Sequence, residues 1–511
     1  MNANGPRTPA LMLQGTGSDV GKSLLAAGLC RAYARRGLTV RPFKAQNMSN
    51  NAAVTIDGGE IGRAQALQAR ACRTAATTDM NPVLLKPQGE IGAQLVLQGK
   101  IFASVTAREY QRLRSSLLPK VLESFRRNAH GVDLVLVEGA GSAAETNLRE
   151  GDIANMGFAE AADLPVVLIG DIERGGVIAQ IVGTHVLLSE GERCRLKGFI
   201  VNKFRGDPSL FDSGLSEIVD RTGLQGFGVV PWFEGAGYLP AEDSLALAPR
   251  RREATRPIKI VALAYPRIAN FDDFDPIRAE PDVSFIFLRG GEAVPGDSDL
   301  VILPGSKATL SDLAFLRAQG WDIDLLAHRR RGGAVLGICA GYQMLGTSVA
   351  DPEGIEGPAA KLAGLGMLDV ETVMSAEKSL VAVTGREVAS GLPLSGYEMH
   401  VGRTTGEGMA RPMLSLSAGP DGAVSKDGRV MGCYVHGVFA ADAFRRAFLK
   451  RLGENLESDV AYEASVDATL DRLADHLEGH LDLNAMLAIA RREEHAAAVL
   501  SGTGDKSRRT G

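Results

Sequence analysis

Cysteine is scarce in this chain: five residues in 511, Cys30, Cys72, Cys194, Cys339 and Cys433. They are scattered, odd in number and without metal-ligand spacing. That excludes a disulfide framework and points to a reducing compartment. Long apolar runs are also missing. No uninterrupted stretch reaches the roughly 18 residues a membrane-spanning helix needs. The opening "MNANGPRTPALMLQGTG" has no charged start followed by a long apolar run, so no secretory leader is expected. Excess charge is absent as well. The net charge is −5, too small at this length to suggest a nucleic-acid or bulk membrane partner. These absences lead to the expectation of a cytoplasmic protein. Aromatics make up only 5% of the residues, but apolar residues reach 45%. That is ample for more than one core at this length.

What is present is alternation. "PALMLQ", "LTVRPFK", "VDLVLVEG", "LPVVLIGD" and "LKGFIVNKF" read as buried strands ending in polar or glycine residues. Helical patterns such as "KSLLAAGLCRAYARRG" lie between them. This alternation predicts an α/β fold with parallel sheets covered by helices on both faces. In such doubly wound sheets, ligands bind beyond the carboxyl ends of the strands. At "LALAPRRREATRPIK", two prolines and a basic cluster mark a linker. A second α/β series follows. The expected division is a first domain over 1–250, a second over 257–490, and a polar, mobile tail over 491–511.

"GTGSDVGKS", residues 15–23, follows a strand and precedes a helix. Its Gly21-Lys22-Ser23 ending is that of a phosphate-binding loop, but Thr16 stands where the strict pattern has glycine. Backbone N–H groups at the helix start would face phosphates. Lys22 adds a point charge, and the Ser23 hydroxyl suits Mg²⁺. Thr16 and Gly21 complete the loop. Other strand ends converge on the same edge. Glu138, in "LVLVEGAGS", can hold Mg²⁺ beside the phosphates or merely precede a turn. Lys44 can neutralise γ-phosphate charge. Asn202, followed by Lys203, can read a nucleotide base or simply end its strand.

The second series contains "GGAVLGICAGYQMLG". An apolar strand runs into Cys339, with small residues on either side and a helical pattern after it. This is a nucleophile elbow with cysteine in place of serine. The helix start would supply N–H groups, including that of Ala340, to an oxyanion and so favour a reactive thiol. Gly305-Ser306, in "LVILPGSKA", offers a further oxyanion-hole backbone. A thiol nucleophile needs a base. His436 ends another apolar strand and is the candidate, with His400 its competitor. Cys433 alternates to the opposite face of that strand and reads as packing.

The opening loop resembles that of dethiobiotin synthetase and its relatives. There Gly-Thr leads and Val-Gly-Lys-Ser/Thr closes, and the Glu-Gly-Ala-Gly pattern recurs. Partition-type ATPases carry an additional, earlier lysine, which this loop lacks. The Cys339 elbow, His436 and the Gly305 turn resemble a class I glutamine amidotransferase. The usual glutamate two residues after the histidine is replaced by Val438, which leaves the orienter of His436 open, with Glu398 a candidate. Over roughly residues 9–490 the chain resembles the cobyric acid synthase family. "FKAQNMSNNA", "AAETNLREGDIANMG", "GDIERGG" and "YPRIANFDDFDP" carry the likeness beyond the shared motifs.

That resemblance implies an ATP- and Mg²⁺-dependent amide ligase using L-glutamine. It would amidate four propionate carboxylates of adenosylcobyrinic acid a,c-diamide. Cobyrinic acid a,c-diamide synthase and a non-ligase partition-type ATPase are the alternatives. Gln46, Asn47 and Asn50, with Asn147, Arg149, Asp152 and Asn155, are candidates for substrate or nucleotide contact, or else for capped polar loops. The aspartates of "NFDDFDP" can bind metal, cap the next helix or line a domain interface.

Overall fold

The structure is a computed structural model that describes residues 7–88, 92–240, 257–453 and 458–493. Most of the expected linker and tail lies outside the described residues. Six parallel strands form the first sheet. Their order is Gln225–Pro231, Leu196–Phe204, Val166–Asp171, Ala10–Gly15, Leu134–Ser142 and Val40–Phe43. The central strands read as continuous apolar runs because both faces are covered. Helix α1, Lys22–Arg35, leaves the phosphate-loop sequence directly after the first strand. Helix α2, Arg63–Ala71, follows the asparagine-rich segment.

A four-stranded sheet, Gln46–Met48, Val83–Pro87, Gly92–Leu97 and Lys100–Thr106, is inserted in the first domain. It carries the first domain toward the second. The second domain's main sheet runs Val283–Leu288, Ile258–Leu263, Leu300–Leu303, Ala334–Ile338 and Val430–Cys433, all parallel, closed by antiparallel Ala423–Val424. A long hairpin, Glu371–Glu387 with Pro393–Thr405, stands beside it. Among the described residues, no helix is long and apolar enough to cross a membrane.

The expected reach of the second domain to residue 490 needs correction. Helix Tyr462–Glu478 buries Val466, Leu470, Leu473 and Leu477 in the first domain's core, against α1, and helix Leu483–Arg491 adds Leu483 and Met486 to the same core. Amphipathic spacing announces that such a helix is buried but not against which sheet. The approach to α1 is close: a Cβ on Gly28 would lie 2.5 Å from Leu477 Cδ1. Leu473→Ala should therefore destabilise the first domain, at a cost of about 2–5 kcal/mol. A lowered denaturation midpoint would report it; an unchanged one would contradict the packing.

Candidate functional sites

At the first sheet's carboxyl edge, Gly21 caps α1 with φ +96°. A Cβ there would be strained and would meet the Asn202 amide at 2.3 Å, so glycine is required. Lys22 folds over the loop and donates to the carbonyls of Gly17 and Gly141, each at 2.9 Å. Thr16 donates through its hydroxyl to Gln180 at 3.2 Å. The Glu138 carboxylate is buried and gathers donors. Ser23 Oγ (2.6 Å) and Lys44 Nζ (2.8 Å) reach one oxygen; Gln68 Nε2 (2.6 Å) and Gln65 Nε2 (3.4 Å) reach the other. The register Leu13↔Glu138 brings this carboxylate alongside the strand that feeds the loop.

The chemistry of these donors fits Mg²⁺. One carboxylate and one hydroxyl meet at a phosphate loop, leaving the remaining ligand positions to phosphate oxygens and water. Among the described residues, no group of three or more His, Cys, Asp or Glu could hold a metal by itself. Asn202 donates to the carbonyl of Val20 at 2.8 Å, beneath the loop. Lys203 pairs with Asp171 at 2.9 Å and donates to the carbonyl of Asp19.

The remaining candidates divide. Asn155 braces the turn after Glu138 through the backbone of Ala140 and Ser142. Asp152 accepts from the N–H groups of Ala154, Asn155 and Gly157 and shapes the start of helix Met156–Ala161. Arg149 is engaged by Glu160 and Glu192. For Arg149 and Asp152, then, the capped polar loop is what the structure displays. Asn147 is exposed. Gln46 accepts from Tyr110, and Asn47 donates to Gln65 at 2.9 Å. Asn50 Oδ1 is buried without a hydrogen-bond partner. An orphaned acceptor of that kind costs about 1–3 kcal/mol, which a ligand donor would remove.

At the second sheet, strand Ala334–Ile338 delivers Cys339 at φ 53°, ψ −111°, followed at once by helix Ala340–Leu345. Strain at a non-glycine residue of this kind persists only where packing over-determines it. Here a Cβ on Gly341 would sit 1.8 Å from the carbonyl oxygen of Leu303. His436 and Cys339 meet at the Gly305 turn, with the Cys339 thiol directed to the carbonyl of Met399 at 3.7 Å. A Cβ on Gly305 would touch both, 3.1 Å from His436 Cε1 and 3.8 Å from Cys339 Cβ. Ser306 and Ala340 line the cavity at the thiol. His400 lines it too but stacks on Tyr434, with ring centroids 3.7 Å apart.

The orienter of His436 is Asp273. Its carboxylate lies 2.6 Å from His436 Nδ1 and also accepts the Gly437 N–H at 2.9 Å. Glu398 is not the partner: it accepts from Ser379 at 2.7 Å and approaches His400 at 3.7 Å. Burial disfavours the charged imidazole, but Asp273 and Cys339 outweigh it and push His436 up to about 10. "NFDDFDP" thus behaves as an interface and positioning segment. Asp272 pairs with Arg63, Asp273 with His436 and Asp275 with Arg278.

Sequence reasoning missed the first domain's share in this second site. Gln88, just past strand Val83–Pro87, and Gln94, on strand Gly92–Leu97, line the same cavity as Cys339. Beside it, Glu60 is fully buried between Lys86 (2.6 Å) and Lys378 of the other domain. Burial works against the Glu60 carboxylate, yet the two lysines hold it well below the usual range. A buried carboxylate between two ammonium groups has no signature in a linear sequence.

The first domain matches the model for the CobQ/CobB/MinD/ParA nucleotide binding domain over residues 11–246. The second matches the CobB/CobQ-like glutamine amidotransferase domain over 259–444. A protein of Caulobacter sp. (strain K31) named cobyric acid synthase is 63% identical over 87% of this chain and 92% of its own. One from Jannaschia sp. (strain CCS1) is 61% identical over 94% and 99%. One from Bradyrhizobium diazoefficiens is 60% identical over 94% and 99%. The chain belongs to the cobyric acid synthase family. The family plan of a nucleotide-binding domain followed by an amidotransferase domain is the architecture described above. It accounts for a phosphate loop and a thiol elbow on one chain.

Proposed function

We propose that the chain amidates the b, d, e and g propionate carboxylates of adenosylcobyrinic acid a,c-diamide, giving adenosylcobyric acid, with ATP and L-glutamine consumed at each step. The observation that carries this reading is the pairing, on one chain, of the Cys339–His436–Asp273 constellation with a phosphate loop backed by Glu138. In the second domain, Cys339 would attack the glutamine amide carbon. His436 would take the thiol proton and pass it to the departing amide nitrogen, which leaves as ammonia, and water would later hydrolyse the γ-glutamyl thioester. The backbone at Gly305, Ser306 and Ala340 would hold the oxyanion. Lys307, Lys378 and Glu356 line the cavity and would be the side chains nearest the charged groups of a bound amino acid.

In the first domain, a substrate carboxylate oxygen would take the γ-phosphoryl group of ATP, releasing ADP. Ammonia would then displace phosphate from the acyl phosphate. Lys22 and Lys44 would stabilise charge on the transferring phosphoryl group. Ser23 and Glu138 would hold Mg²⁺, which supplies further charge neutralisation when bound. Thr16, Gly21, Asn202 and Lys203 would frame the nucleotide. Gln46, Asn47 and Asn50 would meet the corrinoid's carboxylates and amides, a role the orphaned Asn50 acceptor supports.

The test is a mass spectrum after incubation with the a,c-diamide, ATP, Mg²⁺ and glutamine. Four carboxylates should become amides, and Lys22→Ala should abolish this with either glutamine or ammonia as nitrogen source. Conversion of cobyrinic acid instead would move the chain to the a,c-diamide synthase activity. ATP hydrolysis with neither corrinoid changed would remove the substrate assignment.

A further inference from the structure

The phosphate site and the thiol site share one short structural element. Helix α2 opens with Arg63, and Arg63 leaves its own domain. Its guanidinium forms an ion pair with Asp272 at 3.0 Å. It also donates to Tyr397 Oη at 2.6 Å and to the carbonyl of Ala52 at 3.0 Å, and it lies 5.5 Å from the Tyr397 ring centroid. Tyr397 stacks on His436, with centroids 5.2 Å apart and planes 18° apart, and exchanges backbone hydrogen bonds with it. Asp272 precedes Asp273, the partner of His436. Arg63 therefore holds one group that frames the imidazole, Tyr397, and the chain neighbour of the other, Asp272 beside Asp273.

Two and five residues further along α2, Gln65 and Gln68 donate to Glu138. A second contact runs in parallel. Asn51 Oδ1 accepts the N–H of Asn270 at 2.8 Å, and Asn270 Nδ2 lies 3.4 Å from His436 Nε2.

We propose that α2 is the connection through which the state of the phosphate site reaches the thiol site, with Arg63 as the positioning residue at its far end. The physical reason lies in Glu138. One of its oxygens is held by Ser23 and Lys44 and the other by the two glutamines of α2. Any ligand that draws Glu138 toward the phosphate loop loosens or shifts its hold on Gln65 and Gln68. A helix of nine residues with intact internal hydrogen bonds moves as a unit. A displacement at Gln68 therefore moves Arg63 and, through Tyr397 and Asp272, the His436 ring. The inference rests on Cys339 and His436 forming the glutamine-cleaving pair.

The experiment measures alkylation of Cys339 by 6-diazo-5-oxo-L-norleucine, a glutamine-shaped electrophile. It uses the full chain with and without Mg²⁺ and ATP, read by intact mass rather than by turnover. In the parent chain the nucleotide should change the labelling rate by about 5-fold or more. Arg63→Met should lose that response and shift the pH profile of labelling, and Arg63→Lys should restore part of both. Tyr397→Phe keeps the stacked ring and removes only the hydroxyl, so it tests the same link with little risk to folding. It should blunt the response while thermal unfolding is unchanged.

A full nucleotide response in both Arg63→Met and Tyr397→Phe would overturn the proposal, as would a parent chain whose labelling ignores nucleotide. No labelling at Cys339 under any condition would instead overturn the glutaminase reading on which the proposal stands.

Discussion

Cys339→Ala should abolish glutamine-driven amidation, by about 10⁴-fold or more, while amidation fed by ammonium salt at alkaline pH continues. The size of the loss follows from the absence of a substitute nucleophile in the same position. Cys433 ends the neighbouring strand, fully buried, with burial pushing its thiol up and its Sγ directed to the Val435 carbonyl. The Ser306 hydroxyl is committed to Asp312 at 2.6 Å. Survival of the ammonia route follows from geometry. Lys22, Ser23, Lys44 and Glu138 are gathered at the carboxyl edge of the other domain's sheet, bonded to one another and to that domain's backbone. Isotope-labelled glutamine and ammonium, with mass detection of the corrinoid amides, separate the two nitrogen sources. Loss of both routes would mean that Cys339 supports the fold rather than glutamine cleavage. Loss of neither would remove the thiol from the reaction.

What could be read from the sequence was local. The phosphate loop and the cysteine elbow are each encoded by one contiguous strand–turn–helix stretch, so spacing and glycine placement suffice to find them. Glu138 and Lys44 were legible because doubly wound sheets bring strand ends to one edge. The partner of His436 was not legible. The position two residues on, where a class I amidotransferase carries glutamate, holds Val438, which is buried. Asp273 enters from a segment 163 residues away. Glu398 was a reasonable expectation that strand alternation defeats. On Pro393–Thr405, Tyr397 turns its ring to His436, so the next side chain turns away, toward Ser379 and His400. The C-terminal helices' place in the first domain was not legible, because periodicity names a buried face and not its partner. Nothing in the linear sequence marks Arg63; only the fold shows it reaching across to Asp272 and Tyr397 of the second domain.

Asp273→Asn should lower glutaminase turnover by about 10²–10⁴-fold and leave ammonia-fed amidation in place. Asparagine nearly matches aspartate in shape, so the loss isolates charge and tautomer from packing. In the parent chain the carboxylate accepts from His436 Nδ1 and keeps Nε2 toward the reacting side. An amide nitrogen turned to Nδ1 would favour the opposite tautomer. The pH dependence gives a second, independent readout. Burial opposes the imidazolium, and Asp273 is the first of the groups that overcome it and push His436 up to about 10. With that charge removed, burial counts for more and the value falls, so the alkaline limb of the glutaminase profile should move to lower pH.

Stability follows the same sign. The folded value exceeds the unfolded one, near 6.5. The pair's contribution is therefore fully present below about pH 6.5 and lost as pH rises through about 10. The parent chain should exceed the variant in unfolding midpoint by more at pH 6 than at pH 10.5. An unmoved alkaline limb together with a pH-independent stability gap would show that Asp273 serves only the Gly437 N–H it also binds, and that His436 is set by other groups.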